Sequence, residues 1–208
     1  MSIELWGAFA LASCVLLVIP GPTILTVISY SLAYGRRANV PLVAAVALGD
    51  CTALLLSLAG LGAVLSTSAW LFTAIKWVGG LYLIYLGIRL ILSGTRPLVT
   101  DTALALDSRW KLFGNTWLIT ALNPKGIVFF VAFLPQFLSS SDPVVPQLWI
   151  LSITFVVLAT LNAALYAVFA NRARQLLLSS KAQRVFNLGG GSLLTVAGGW
   201  ALMAKQTA

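Results

Sequence analysis

The sequence predicts an all-α membrane protein of six transmembrane helices, and three observations predict it. Apolar residues make up 60 % of the 208-residue chain and charged ones only 9 %, with a mean hydropathy of +0.97. A soluble domain carries about 25 % charged residues, so this composition cannot make a water-facing surface, and lipid is the solvent that fits it. The apolar residues fall into long continuous runs, whereas a transmembrane barrel needs alternating strands of about ten residues. Each run suffices for a helix crossing the hydrocarbon, which takes about 20 residues. Six such helices leave only short loops, so residues 1–208 form one membrane domain with no room for a second, soluble one.

The first span is read at about 5–29. It is not a cleaved signal peptide in this reading: residues 1–12 hold no Lys or Arg, and the apolar run continues past Pro20-Gly21-Pro22 toward Tyr30. The other spans are placed at about 40–63, 69–92, 113–138, 147–170 and 186–204. Turn-forming residues separate them: Gly35-Arg36-Arg37, Ser66-Thr67-Ser68, Ser93-Gly94-Thr95-Arg96-Pro97, Ser139-Ser140-Ser141-Asp142-Pro143 and Asn171-Arg172. The connection over about 94–112 is the longest, with mixed charge and no clear periodicity.

The net charge of +8 does not point to nucleic acid, because the basic residues are scattered between apolar runs with no soluble domain to present them. They sort by loop instead. Arg36 and Arg37 lie in the first loop, Arg89, Arg96, Arg109 and Lys111 in or beside the third, and Arg172, Arg174, Lys181 and Arg184 in the fifth, ten of the thirteen in all. The second and fourth loops hold none, though Lys76 follows the second. Cytoplasmic loops carry the excess of Lys and Arg, so odd loops face the cytoplasm and both termini face outward. Trp6, Trp70, Trp110, Trp149 and Trp200 fall near span ends, where an amphipathic ring favours the interface.

Three spans per half, with repeat one at about 1–93 and repeat two at about 113–208, make two repeats inserted in opposite orientations. The first span of each half opens on an aromatic-Gly pair, Trp6-Gly7 and Phe113-Gly114, and is interrupted at mid-depth, by Pro20-Gly21-Pro22 and by Asn123-Pro124-Lys125. Paired interruptions at corresponding positions point to a transporter binding site.

Pro20 and Pro22 lack the N–H that a helix needs, and Gly21 adds freedom, so the first span should break there. Broken backbone at membrane depth is tolerated only inside protein or against a water-filled cavity. Freed N–H groups near Gly21 and Thr23, at the positive end of a half-helix, suit a carboxylate; a structural kink is the alternative. Asp50 is the only acidic residue deep in a span, and charge there is costly and usually functional. It suits a proton or a substrate ammonium, or a structural partner for Lys125. Lys125, at the second interruption, suits a carboxylate, an ion pair with Asp50, or a stem that snorkels to the interface. Asn123 offers both a donor and an acceptor beside Pro124. Asn162 and Tyr166 lie four apart and share a helix face, lining a polar path or bonding between helices. Acid and base together suit a small zwitterion such as an amino acid, provided that they meet.

Gly79-Gly80, Gly87, Gly189-Gly190-Gly191 and Gly198-Gly199 suit close helix approach, within the bundle or in a homodimer. Cys14 and Cys51 are not in a Cys-X-X-Cys pair and read as small hydrophobes, with a thiol-redox conduit as the alternative. There is no His, no cluster with metal-ligand spacing, no catalytic triad arrangement and no phosphate-binding Gly-Lys motif, so no enzyme and no cofactor is expected.

This combination resembles the lysine exporter (LysE/RhtB) family of bacterial amino-acid exporters. The matching residues are Pro20-Gly21-Pro22, Gly35-Arg36-Arg37-Ala38, Gly49-Asp50, the run from Gly79 to Gly87, Asn123-Pro124-Lys125, Phe129-Phe130 and Leu134-Pro135-Gln136-Phe137, in the family's order. The resemblance implies six helices, an inner-membrane location and export of an amino acid or derivative driven by an ion gradient. It does not fix the cargo. The wider superfamily includes thiol-redox proteins with Cys beside the helix breaks; here Cys14 lies six residues before Pro20 and Cys51 follows Asp50, which argues against that role. The expected function is therefore secondary export by proton antiport, with the two halves rocking about a midplane site. A redox conduit or a passive small-solute channel is the alternative.

Overall fold

Prolines, glycines and capping side chains decide where the apolar runs start and stop. The computed structural model describes residues 1–67, 69–93, 108–139 and 142–203, and every regular element among them is helical. Helix α1 (Ile3–Val18) starts at Ser2, whose hydroxyl accepts the Leu5 N–H at 3.3 Å. It ends where Ile19 turns extended ahead of Pro20. Helix α2 (Pro22–Tyr34) restarts with Pro22 at its first position, where a missing N–H costs nothing. Gly35, at a φ of +66° that glycine adopts freely, turns the chain into a 3₁₀ segment, Gly35–Ala38. Helices α3 (Asn39–Thr67) and α4 (Ala69–Leu92) follow.

The second half repeats this local chemistry. Ser108 caps α5 (Arg109–Ala121) by accepting the Lys111 N–H at 3.2 Å. The chain breaks at Leu122 and Asn123, and α6 (Pro124–Val128) restarts on a proline. It runs on through a π-helical turn, Phe129–Phe133, and a 3₁₀ turn, Leu134–Phe137. Then come α7 (Val144–Val168), α8 (Ala170–Leu178) and α9 (Ser180–Met203).

Three of these stretches are long and apolar enough to cross a membrane, Pro22–Gly60, Arg109–Phe137 and Val144–Val168, while Ile3–Val18 and Gly80–Leu92 are shorter apolar helices. The expected boundaries need correction. Asn171-Arg172, read as a linker, lies inside the short helix α8. The fourth apolar run starts at Arg109 rather than 113, because the Ser108 cap fixes its first turn. The last helix starts at Ser180 rather than about 186, so Lys181 and Arg184, read as loop residues, lie in its first turns, and Ser66-Thr67, read as a linker, end α3. Ser68, most of the 94–112 connection with Arg96, Ser140-Ser141 and the side chains of Lys76 and Trp200 lie outside the described residues.

Both faces of α7 are apolar, as in a helix with protein on one side and lipid on the other. Leu151, Phe155, Ala159, Ala163 and Ala167 are buried, whereas Ile153, Val157, Leu161 and Leu165 are exposed. Helix α3 packs on α5 and α7, α7 on α1 and α2, and α4 along α9. The α4–α9 seam is antiparallel and set by glycine: a Cβ on Gly80 would lie 2.5 Å from Leu202 Cδ2, and one on Gly87 2.5 Å from the Gly191 carbonyl. Such small residues let helices approach closely in lipid. Behind the second break, Phe129, Phe130 and Phe155 pack with centroids 4.7–6.1 Å apart, and Phe9 closes on Phe137 at 5.3 Å.

Gly49 presses α3 onto α5. A Cβ there would lie 2.5 Å from Thr120 Cβ and 3.0 Å from the Trp117 carbonyl, neither of which yields without moving backbone. Gly49→Ala is expected to lose about 1–3 kcal/mol to overpacking, read as a lowered apparent melting temperature in detergent. An unchanged melting temperature would show that this contact is not needed.

Candidate functional site

The two breaks meet side by side, and Asn123 ties them. Its Nδ2 donates to Thr23 Oγ1 at the start of α2 at 3.2 Å. Its Oδ1 accepts the Lys125 N–H at 3.2 Å, capping α6. Asn123 thus cross-links residues 100 apart in sequence and is itself buried.

A helix ending inside the protein leaves its last four carbonyls without intrahelical donors. At the end of α1 these belong to Leu16, Leu17, Val18 and Ile19, and all four are satisfied by side chains from other helices. Lys125 Nζ donates to Leu16 O at 2.9 Å and Ile19 O at 2.8 Å. Asn162 Nδ2 donates to Leu17 O at 3.1 Å, and the Tyr166 hydroxyl to Val18 O at 2.9 Å. The Lys125 ammonium also sits at the negative end of the α1 dipole, where a cation is favoured.

Asp50 is brought to the second break by the close α3–α5 approach at Gly49. It is 8 % exposed and takes no hydrogen bond from the described residues. Its carboxylate and Lys125 act on each other electrostatically across a shared cavity, with no ion pair within 4.0 Å. That cavity is lined by Gly21, Thr23, Asp50, Asn123, Lys125 and Asn162, against apolar walls that include Phe155 and Ala159. The first-turn N–H groups of Thr23 and Ile24, which have no intrahelical acceptor, begin α2 at its edge. The cavity volume is ≈ 30 Å³, room for about one water. The site is therefore closed in this conformation.

Of the ten residues that the sequence singles out, six share this wall. Pro22 and Pro124 are exposed starters of α2 and α6, and Pro20 lies in the extended link. Tyr166 stands beyond the wall, against Val18. Cys14 and Cys51 are free, partly buried thiols and do not line the cavity. The walls Phe155 and Ala159 escaped the sequence reading. They sit at i, i+4, i+7 and i+11 with Asn162 and Tyr166, one stripe of α7 that the helical period makes visible.

Two helices broken against each other in a bundle of long apolar helices, around a buried acid and an engaged lysine, are the arrangement expected of a helical membrane transporter. The chain belongs to the LysE type translocator family, whose model matches residues 14–205. It is 32 % identical over 205 residues to the homoserine/homoserine lactone efflux protein of Salmonella typhimurium, covering 99 % of this chain and 98 % of that one. It is 36 % identical over 156 residues to an uncharacterized membrane protein of Vibrio cholerae, covering 75 % and 76 % of the two chains. It is 29 % identical over 187 residues to the Bacillus subtilis membrane protein YrhP, covering 86 % and 89 %. No solved structure matches the chain.

Proposed function

We propose that this translocator exports a small amino acid or derivative, of the homoserine kind, across the bacterial inner membrane by proton antiport. The observation that carries the reading is Asp50: a buried carboxyl with no hydrogen-bond donor among the described residues, facing the cavity at the junction of two broken helices. The cation that acts on it among the described residues, Lys125, is occupied by the carbonyls of α1. Asp50 is thus left to hold a proton or a substrate ammonium in turn. The start of α2, at Gly21–Thr23, with the Asn123–Lys125 turn opposite, takes the carboxylate. Proton release at Asp50 creates the site for the ammonium, so that one group serves both cargoes alternately. The full-length match to a homoserine efflux protein supports the substrate class.

Six spans in two inverted repeats fit the packing: the helix after each broken one lies against the broken helix of the other half, and α4 pairs with α9. The basic connections, with Arg36, Arg37, Arg172 and Arg174, put that side in the cytoplasm and both termini outside. The test is uptake of labelled homoserine, with a panel of other amino acids, into inside-out vesicles whose lumen is acidified. Accumulation in the acid lumen is expected for the true substrate. Flux that only equilibrates, with or without the pH gradient, would make the protein a passive channel.

A further inference from the structure

Beside the first break lies a second cavity, of ≈ 490 Å³, within the ≈ 300–1,000 Å³ typical of small-molecule pockets. Val18, Leu165, Phe169 and Phe186 give it apolar walls, with Leu165 at its outer edge, and Asn162, Tyr166 and Arg172 give it polar groups. Three observations set it apart from a packing gap. First, Asn162 lines both this cavity and the closed central one, so its side chain is part of the wall between them. Second, the partition is latched by two hydrogen bonds one helical turn apart, Asn162 to Leu17 O at 3.1 Å and Tyr166 to Val18 O at 2.9 Å. Both acceptors are carbonyls at the very end of α1, where no backbone bond holds them, so they are free to part without unwinding the helix. Third, Arg172 is exposed, borders the cavity, and has no hydrogen-bond or ion-pair partner among the described residues. Its position at the start of α8 keeps a permanent cation at the cavity rim.

We infer that the 490 Å³ cavity is a loading vestibule for a carboxylate-bearing solute, recruited by Arg172, and that the Asn162–Tyr166 latch on the end of α1 is the gate between vestibule and central site. This rests on the transport reading, since it names the entrance to the same site. The physics of the gate is local. Breaking the latch turns the Leu17 and Val18 carbonyls toward the cavity, where water admitted past Arg172 would take over their hydrogen bonds at small net cost. The solute's carboxylate then moves from Arg172 at the rim toward the N-terminus of α2, while Lys125 keeps the end of α1 in place.

Thiol labelling tests both parts without needing a transported solute. In a Cys14→Ser, Cys51→Ser background, Ala159→Cys or Thr23→Cys reports on the central cavity and Phe169→Cys on the vestibule. With inside-out vesicles, Tyr166→Phe is expected to raise labelling of either central probe by a small membrane-impermeant methanethiosulfonate roughly fivefold, the loss of one hydrogen bond. Labelling from the opposite face, in right-side-out vesicles, should not change. At Phe169→Cys, the sulfonate reagent should react roughly fivefold faster relative to its trimethylammonium counterpart than it does after Arg172→Gln, and high salt should erase the difference. Unaltered central labelling in Tyr166→Phe, or acceleration equal from both faces, would overturn the gate. A charge preference that survives Arg172→Gln would overturn the recruiting role. If the labelling pattern holds but no amino acid accumulates, the exporter reading fails and the vestibule stands; transport without side-specific labelling sinks the vestibule alone.

Discussion

Asp50→Asn is expected to abolish accumulation against a gradient while leaving the protein folded in the membrane. Asparagine keeps the shape and polarity of the side chain and removes its negative charge and its ability to gain and lose a proton. The position is 8 % exposed, so no water-facing substitute group is at hand. Across a gradient of one pH unit, one exchanged proton is worth about 1.36 kcal/mol, or about tenfold in concentration. The sign follows from antiport: protons leave the acidified lumen of inside-out vesicles and the amino acid enters it. Wild-type vesicles should therefore reach about a tenfold ratio for one proton per molecule, and Asp50→Asn vesicles a ratio of one. Homoserine–homoserine exchange with no pH gradient separates the two uses of the carboxyl. Exchange that survives the substitution assigns Asp50 to the proton alone; exchange that is lost along with coupling assigns it to the ammonium as well. A mutant that still concentrates substrate tenfold would remove Asp50 from the coupling step.

The breaks were legible because proline chemistry is local. Pro22 and Pro124 have no N–H to give and each opens a half-helix, so the interruption can be read from the three residues around it. The buried acid was legible for a similar reason: one Asp in a long apolar run has few roles. What holds the breaks was not legible. The donors to the end of α1 come from Lys125, Asn162 and Tyr166, more than 100 residues away, and their acceptors are main-chain carbonyls that carry no sequence signal. The α7 face toward the cavity was muted for a different reason. In lipid the outer face is as apolar as the inner one, so Phe155 and Ala159 do not stand out against Leu161 and Leu165 as they would beside a charged surface. Helix α8 was hidden by its charges: Asn171-Arg172 reads as a turn, although Ala170 and Ala173 pack beneath it against Ile24 and Ile28.

Lys125→Met should be the most destabilising single substitution in the site, and most of its effect should persist without Asp50. Methionine has nearly the same length, but it takes away both donors from Leu16 O and Ile19 O. Leaving a buried acceptor unsatisfied costs about 1–3 kcal/mol, more where the lost partner was charged, so the pair costs about 2–6 kcal/mol. Removing a cation from the negative end of α1 adds about 0.3–2 kcal/mol. Set against the 5–15 kcal/mol that holds a typical domain together, this is a large share. The apparent melting temperature in detergent should fall steeply, and protease should gain access near residues 19–21, where the extended link joins α1 to α2. A double-mutant cycle with Asp50→Asn then separates two roles for the lysine. If Lys125 mainly neutralises Asp50, the Asn background should rescue most of the loss, because the charge needing a partner has gone. If it mainly caps α1, as the two bonds at 2.8 and 2.9 Å indicate, most of the loss should persist in the Asn background, with a coupling term smaller than the capping loss because the two residues share a cavity and act on each other electrostatically. Rescue by Asp50→Asn would reverse the assignment, making the carbonyl contacts incidental and the lysine a counter-ion first.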